Sequence, residues 1–510
     1  MLAKIQSMGL LGINAYPIEV EVYVTKGSLP KVTLVGLPDA SVKESTDRVR
    51  AALKNSGFKW PVQAITVNLA PADRQKEGPA FELPIALGIL EASDGYTRSV
   101  NESYAVVGEL ALDGSVREVN GCLSMATRAR DEGYEGIIVP MDNAREAGVV
   151  RGIDVIPVNH LLDAVGFLSG TKEIGAVKVD HDSLLRRARS YDVDFAEVQG
   201  QEQSKRALEV AAAGGHNALM IGPPGAGKSM LAHRVCTILP NLDLDESLET
   251  TKIYSASGLL DGDRTLMATR PFRTPHHTVS GAGLIGGGSN PRPGEISLAH
   301  NGILFLDELP EFSRSVLESL RQPLEDEEVT ISRAKMTVSF PSRFMLIAAM
   351  NPCPCGFYRD NRRECRCSVR QIEKYRRRIS GPFLDRIDIH VDVPPVSYRE
   401  LATDPDEERS RDVRGRVVDA RQKQSERFAE DDFHTNASMR SRHVREFCEV
   451  DNDGEGLLRQ AMDSLGLSAR AYHKVLKVAR TIADLDDDDF IRAHHVSEAV
   501  NYRSLDRELT

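Results

Sequence analysis

Ile18, Val20, Val22 and Val24 alternate with Glu19, Glu21 and Tyr23, the period-two pattern of a strand with one buried face. Further short apolar runs at residues 32–35, 65–69 and 136–140 read as strands, and residues 40–56 and 83–92 between them carry helical spacing. Asp113-Gly114, between the apolar runs 104–112 and 116–119, is turn chemistry for a hairpin. This mixed order predicts an α+β domain over residues 1–170. Between 171 and 193 the apolar pattern thins while His181, Asp182, Arg186, Arg187 and Arg189 gather, which predicts a linker. From Val198 to Pro395 strands and helices alternate, the pattern of a parallel sheet with crossovers, so residues 194–396 form a second, α/β domain. The remainder, 397–510, reads as helical. Residues 404–432 are dense in charge, as in a solvated helix or a mobile connection. Leu467, Ala471, Val475, Val478, Ala479 and Ile482 then recur at helical spacing, and residues 496–502 predict a short last helix beyond the acidic turn Asp486–Asp489.

A chain of 510 residues has room for about three domains, and 41% hydrophobic with 27% charged residues is a globular balance. Lys and Arg number 64 against 75 Asp and Glu, a net charge of −11, so any grip on nucleic acid must come from a local basic surface. No stretch approaches the roughly 18 consecutive apolar residues of a membrane span, and Met1 to Tyr16 lacks a charged segment followed by a long apolar run. A cytoplasmic protein with no membrane partner is expected. Four of the seven cysteines crowd between Cys353 and Cys367, a local site rather than a disulfide framework, which fits a reducing compartment.

The strongest chemistry lies at Gly222-Pro223-Pro224-Gly225-Ala226-Gly227-Lys228-Ser229, preceded by the apolar run Leu219-Met220-Ile221 and followed by a helical run to Leu239. This is a phosphate loop between a strand and a helix: backbone N–H groups curl round the β-phosphate, Lys228 meets the β/γ-phosphates, and Ser229 ligates Mg²⁺. Further on, Gly302-Ile303-Leu304-Phe305-Leu306-Asp307-Glu308 puts two carboxylates at the end of a wholly apolar strand. Asp307 is placed to hold the Mg²⁺ and Glu308 to polarise the attacking water. Another apolar run, residues 344–349, leads to Asn351, whose amide can orient that water; an Asn before Pro352 is also ordinary turn chemistry. Arg386, in Leu384-Asp385-Arg386-Ile387-Asp388, and Arg470, in Ser468-Ala469-Arg470, are two cations suited to a γ-phosphate, one in a neighbouring subunit and one in cis. Plain salt bridges are the alternative for both.

In this order the motifs resemble the AAA+ ATPases of the magnesium-chelatase/MCM branch. Gly294-Glu295-Ile296-Ser297-Leu298-Ala299-His300-Asn301-Gly302 is similar to the MCM-type signature, and nearly the whole chain resembles the ComM/YifB family of magnesium-chelatase-like proteins. The resemblance implies ATP and Mg²⁺ as cofactors and a homo-hexameric ring. It makes Lys228 and Ser229 Walker A, Asp307 and Glu308 Walker B, Asn351 sensor 1, Arg386 the arginine finger and Arg470 sensor 2, with residues 397–510 as a helical lid. The ComM branch is a DNA helicase that drives branch migration as incoming single strands are integrated in natural transformation. Residues 1–170 resemble the Lon protease domain at Gly78-Pro79 and across Val119 to Pro140. A Lon-type peptidase needs a serine nucleophile and a lysine. Here Ala80 follows Gly78-Pro79, and the helix where the lysine would lie reads Leu123-Ser124-Met125, so both are missing and a ring-building or DNA-guiding platform is expected.

Residues 270–293, with Arg273, His276, His277, Gly281, Gly283, Gly286 to Gly288 and Arg292, fit either a pore loop that touches phosphates or a loop packed on the neighbouring subunit. His276-His277 as metal ligands is a weaker alternative. Arg333 and Lys335 are expected on a hairpin before Asn351. Cys353, Cys355, Cys365 and Cys367 form C-x-C-x9-C-x-C, four thiolates for a tetrahedral Zn²⁺ or four free cysteines. Residues 359–378 hold nine basic residues against three acids and are the best local surface for a DNA backbone, with Phe357, Tyr358 and Tyr375 the sole aromatics for stacking. A solvated helix face or salt bridges between protomers is the other reading. The leading function is an ATP-driven motor on single-stranded or branched DNA. The alternative is a chelatase-like ATPase that remodels a protein or metallocofactor partner.

Overall fold

The computed structural model describes residues 1–25, 30–76, 78–98, 103–180, 191–260, 265–288, 291–333, 336–360, 363–396, 407–465 and 467–505. The linker charges His181 to Arg189, together with Lys335, Arg362 and Asp404, lie outside the described residues. The chain forms two units, one of residues 1–188 with 244–268, the other of 189–243 with 269–510.

In the first unit a seven-stranded sheet runs β3-β4-β2-β1-β5-β6-β7, with β1 Leu2–Leu11, β2 Asn14–Thr25, β3 Val32–Val35, β4 Ala64–Ala70, β5 Tyr104–Val106, β6 Gly136–Pro140 and β7 Asp154–Val158. Ile18, Val20, Val22 and Val24 of β2 are buried, as the alternation requires. Helix α1 (Glu82–Ala92) packs on this face at close range: a Cβ on Gly88 would lie 2.6 Å from a Val22 methyl, so only glycine permits the approach. The run 104–112 is broken after Val106, and Asp113-Gly114 closes a short hairpin between Glu109–Leu110 and Val116–Arg117, with Gly114 at φ +92°. Ala80 is a buried methyl, and the Ser124 hydroxyl donates to the Ile13 carbonyl at 2.6 Å.

Residues 244–268 depart from expectation. They fall inside 194–396 in sequence, yet their helix α3 (Leu244–Ser257) is built into the first unit. The Ser255 carbonyl accepts from Gly121 N at 3.2 Å, and the Ser255 hydroxyl meets the buried Glu146 carboxylate, which also accepts from Leu123 N at 2.9 Å and Asn143 Nδ2 at 3.1 Å. Leu266 and Ala268 enter the apolar cluster of Leu123, Ile137 and Val155. Helical spacing marks an apolar face but does not name the surface it covers, which is why the sequence misplaced this segment.

The second unit is built on a five-stranded parallel sheet. Its strands are β8 Ala218–Ile221, β9 Phe272–Arg273, β10 Ile303–Leu306, β11 Met345–Met350 and β12 Ile389–Asp392, in the order β9-β10-β11-β8-β12. β8, β10 and β11 are buried along their length, as expected for strands covered on both faces. Helix α4 (Lys228–Ile238) follows the phosphate loop. The charge-dense segment beyond residue 407 is helix α6 (Ser410–Arg427), whose Val413, Val417 and Ala420 recur at i, i+4, i+7 and are buried. Helix α7 (Ala469–Leu485), N-capped by the Ser468 hydroxyl, and helix α8 (Ala493–Asn501) close the chain near the expected positions. Between α4 and α6 in sequence, the basic segment forms helix α5 (Val369–Arg376), opened by a Ser368/Gln371 capping box.

Candidate nucleotide site

β8 ends at Ile221, and the loop that follows turns through Gly225 (φ +79°) and Gly227 (φ +86°) into α4. Positive φ at both lets successive N–H groups face one concavity at the head of a helix, a ready anion cradle. Lys228 Nζ donates to the carbonyls of Gly222 (2.6 Å) and Pro223 (3.0 Å) and to Asn351 Oδ1 (3.1 Å). Burial lowers the Lys228 pKa, and the nearby Asp307 and Glu308 carboxylates oppose that shift. Ser229 Oγ donates to Asp307 Oδ2 at 2.7 Å, so the two oxygens that would share a Mg²⁺ already meet; a hydroxyl and a carboxylate are hard donors of the kind this ion takes.

Glu308 stands at φ +52°, in the left-handed region that a non-glycine residue enters at a cost of order 1–3 kcal/mol. The turn takes its carboxylate off the strand axis, with His277 Nδ1 3.5 Å away. Asn351 follows β11, the strand between β10 and β8, and so lies between Lys228 and the acidic pair. Lys228, Ser229, Asp307, Glu308 and Asn351 line one cleft of about 410 Å³ with the phosphate loop.

Arg386 and Arg470 are not in that cleft. They line a separate cleft of about 560 Å³ with Asp385, Asp388, His473 and Lys474. Arg386 Nη2 meets Glu325 Oε1 at 2.5 Å, and Arg470, largely exposed, has Nη1 3.8 Å from Asp385 Oδ2. The topology dictates this: β12 pairs parallel with β8, Ile389 opposite Ala218, so the residues before β12 lie at the edge of the sheet opposite the one where β8 delivers the phosphate loop. Arg470, expected to read the γ-phosphate in cis, thus lines the same separate cleft as Arg386 and not the cleft of its own phosphate loop.

The segment carrying Arg386 is held from several sides. Asn217 Nδ2 donates to the Arg386 carbonyl at 3.0 Å while its Oδ1 accepts from Leu346 N at 2.8 Å. Lys474 Nζ and Arg503 Nη1 donate to the Ile387 carbonyl at 3.0 and 2.6 Å. The Asp388 carboxylate meets Lys474 Nζ at 3.0 Å and His216 Nδ1 at 3.2 Å. Burial opposes its charge, but Lys474, His216 and Lys477 outweigh burial and hold the carboxyl well below the usual carboxylate range. Its stabilising contribution is thus complete above the unfolded value of about 3.9 and is lost only as pH falls below it. Asp388→Asn, which strands Lys474 beside a neutral amide, is expected to cost about 3–5 kcal/mol in a denaturant titration at pH 7, and less at pH 3. A loss independent of pH would show that the pair is not ionic.

Sequence reasoning missed two groups at the cleft. Gln201, at φ +59°, donates through Nε2 to the Ala226 carbonyl (2.6 Å) and the Pro394 carbonyl (2.9 Å), tying the phosphate loop to the exit of β12. Its sequence signal, Gly200-Gln201 at a helix start, is that of any turn. The contact between His277 and Glu308 has no sequence signal, because the residues belong to different loops.

The described residues of the loop 270–293 hold regular structure despite their glycines. Ser280 caps a short helix Gly281–Ile285, and Gly286–Gly287 pairs with Arg292–Pro293. Arg273 is paired to Glu295 at 2.6 and 2.8 Å, and the rings of His276 and His277 lie 4.1 Å apart, tilted by 34°. Among the described residues they do not join a third clustered donor, whereas Cys353, Cys355, Cys365 and Cys367 do come together. Arg333 lies on the expected hairpin, Glu328–Arg333 with Met336–Pro341. On α5 and its C-cap, Arg370, Lys374 and Arg377 recur at i, i+4, i+7 and are exposed, while Ile372 and Tyr375 are buried. The aromatics are already engaged: Arg363 stands 5.1 Å from the Phe357 ring, Arg359 and Arg376 flank Tyr358, and Arg378 covers Tyr375. An exposed basic stripe is thus present beside aromatics that arginines already cover.

A strand–phosphate loop–helix unit on a parallel sheet, with an acidic pair and an asparagine at the ends of two further strands, defines an AAA+-like α/β architecture. Family models agree: residues 194–401 match "Magnesium chelatase, subunit ChlI", residues 20–143 "Subunit ChlI of Mg-chelatase", and residues 407–503 "Magnesium chelatase, subunit ChlI C-terminal". The chain is 45% identical to the uncharacterized protein YifB of Escherichia coli (strain K12) over 510 residues, all of this chain and 98% of that protein. It is 44% identical over 512 residues to competence protein ComM of Haemophilus influenzae, again over all of this chain and 98% of that protein. A shorter stretch, 28% of the chain and 26% of the relative, is 28% identical to Lon protease 2 of Bacillus subtilis. The chain belongs to the ComM/YifB family of magnesium-chelatase-like proteins. That family suggests ATPase activity with ATP and Mg²⁺. No helix among the described residues is long and apolar enough to cross a membrane.

Proposed function

We propose that this chain is one protomer of an ATP-hydrolysing ring, a hexamer by family resemblance, that moves on single-stranded or branched DNA as a branch-migration helicase in recombination or natural transformation. The observation that carries the ring is the separation of Arg386 and Arg470 from their own phosphate loop, since cations that stabilise a γ-phosphate must stand within a few ångströms of it. Only a neighbouring copy offers them such a target. In each site Lys228 and the loop N–H groups bind the phosphates, Ser229 and Asp307 hold Mg²⁺, Glu308 polarises the attacking water and Asn351 orients it. Residues after 397 act as the lid, and the Lon-like N-terminal region serves as a platform rather than a peptidase.

The exposed stripe Arg370, Lys374 and Arg377 supports DNA in a chain whose net charge is −11, and the competence name of the Haemophilus relative supports transformation as the setting. Steady-state ATP hydrolysis, alone and with single-stranded, duplex or four-way-junction DNA at two salt concentrations, tests this reading against Glu308→Gln as the blank. Several-fold stimulation by single strands or junctions that fades with salt is expected. Hydrolysis indifferent to every DNA would instead favour remodelling of a protein or metallocofactor partner.

A further inference from the structure

Cys353 and Cys355 lie directly beyond Asn351-Pro352, and Cys365 and Cys367 return to them from ten residues on. Sγ–Sγ separations are 3.4 Å for Cys353–Cys355, 3.7 Å for Cys353–Cys365 and 3.6 Å for Cys355–Cys365, and the four sulfurs all fall within 4.8 Å of one another. A tetrahedron with Zn–S bonds of about 2.3 Å has edges of about 3.8 Å, whereas a disulfide needs about 2.05 Å. The sulfurs are therefore spaced as ligands of one ion and not as bonded pairs. Cys353 is buried and the other three are half-buried, so the site closes on the protein side and leaves no open coordination position of the kind a catalytic metal keeps.

The turn between the two cysteine pairs touches the nucleotide cleft. Gly356, at φ +84°, lies so close to the phosphate loop that a Cβ there would come within 2.4 Å of Pro224 Cδ. Phe357, Asp360 and Arg363 form one wall of a cleft of about 430 Å³ whose other side includes Val198, Gln201 and Gly225. This cleft shares Gly225, Ala226 and Gly227 with the one that holds Lys228 and Asn351, so the two adjoin along the phosphate loop and the second offers room for the rest of a nucleotide. Arg363 stands over the Phe357 ring, and the segment 363–367 has neither helix nor strand to hold it. A metal that joins residues 353 and 355 to 365 and 367 fixes both ends of this wall.

We propose that Cys353, Cys355, Cys365 and Cys367 bind one structural Zn²⁺ whose function is to hold Phe357, Asp360 and Arg363 against the phosphate loop, so that nucleotide affinity depends on the metal. The inference rests on reading the cleft as the ATP site. Ligation is by thiolate, so binding releases protons and involves no redox step.

The test uses the full chain, purified without added metal. Elemental analysis should find one zinc per chain, and cobalt offered to the stripped protein should give the visible absorption of a tetrahedral thiolate site. Removing zinc with a mercurial thiol reagent and a chelator, or by the Cys365→Ser/Cys367→Ser double substitution, should weaken binding of a fluorescent ATP analogue by about tenfold, because the wall must then be ordered during binding. Should that double variant fail to fold, Phe357→Ala provides an independent check: zinc retained, affinity for the analogue reduced. Absence of zinc together with no thiolate cobalt spectrum would overturn the site, and iron in its place would overturn the choice of metal. Zinc-free protein that binds the analogue as tightly as the parent would overturn the coupling. If the intact chain holds zinc but binds no ATP analogue, the reading of the cleft fails while the metal site stands.

Discussion

Glu308→Gln is expected to lower ATP turnover by about 10²–10⁴-fold while the affinity for ATP stays within about threefold of the parent, the range for loss of a positioned base. The substitution keeps the shape of the side chain and removes its ability to take a proton from the attacking water. At the midpoint, about 10³-fold, the loss is roughly 4 kcal/mol of transition-state stabilisation. Binding is spared because Lys228 and Ser229, which grip phosphate and Mg²⁺, touch Asp307, Asn351 and the loop carbonyls and make no hydrogen bond to Glu308. The left-handed φ of Glu308 gives the argument a second support, since strain of this kind is retained where it aims a side chain. Single-turnover hydrolysis beside equilibrium binding of a fluorescent analogue separates the two effects. Turnover near the parental rate would remove Glu308 from the chemistry.

Arg386→Ala should be nearly as severe, about 10³-fold in turnover, if it stabilises transition-state charge as arginine fingers do. Its effect must also pass between subunits. Mixing Arg386→Ala with Lys228→Ala, each inactive alone, should restore hydrolysis at roughly one quarter of the interfaces of a randomly mixed ring, where an intact phosphate loop meets an intact arginine. Within one chain the Arg386 side chain is only 12% exposed, paired with Glu325 and donating to the Arg321 and Pro382 carbonyls, so a neighbour's phosphate must replace these contacts. No recovery on mixing would mean that Arg386 acts within its own subunit, against the topology that separates it from the loop, or that it does not act on nucleotide at all.

Much of this site was legible before any coordinates because its chemistry is local. The phosphate loop needs its strand, glycines and helix in one continuous stretch, and the apolar run to Asp307-Glu308 needs no partner to be recognised as a buried strand. What the motifs themselves do not carry is the edge of the sheet at which each residue lands. Arg386 and Asn351 both lie beside strands next to β8, yet Asn351 follows its strand and Arg386 precedes its own, so the parallel sheet sends them to opposite edges. Residues 244–268 escaped for a related reason: their helix was visible, but its partners lie far away in sequence, Glu146 being 109 residues from Ser255 and Gly121 and Leu123 farther still. The aromatics beside the basic segment were visible too, and only the fold reveals that arginines already cover them.

The proposal that ATP hydrolysis is spent on branched DNA stands or falls on whether a synthetic four-way junction is converted to its duplex products. With ATP and Mg²⁺ the purified protein should drive that conversion, the Glu308→Gln variant should not, and added salt should slow it as phosphate contacts weaken. Brisk ATP hydrolysis with the junction left intact would contradict a DNA motor and turn attention to a protein or metallocofactor partner.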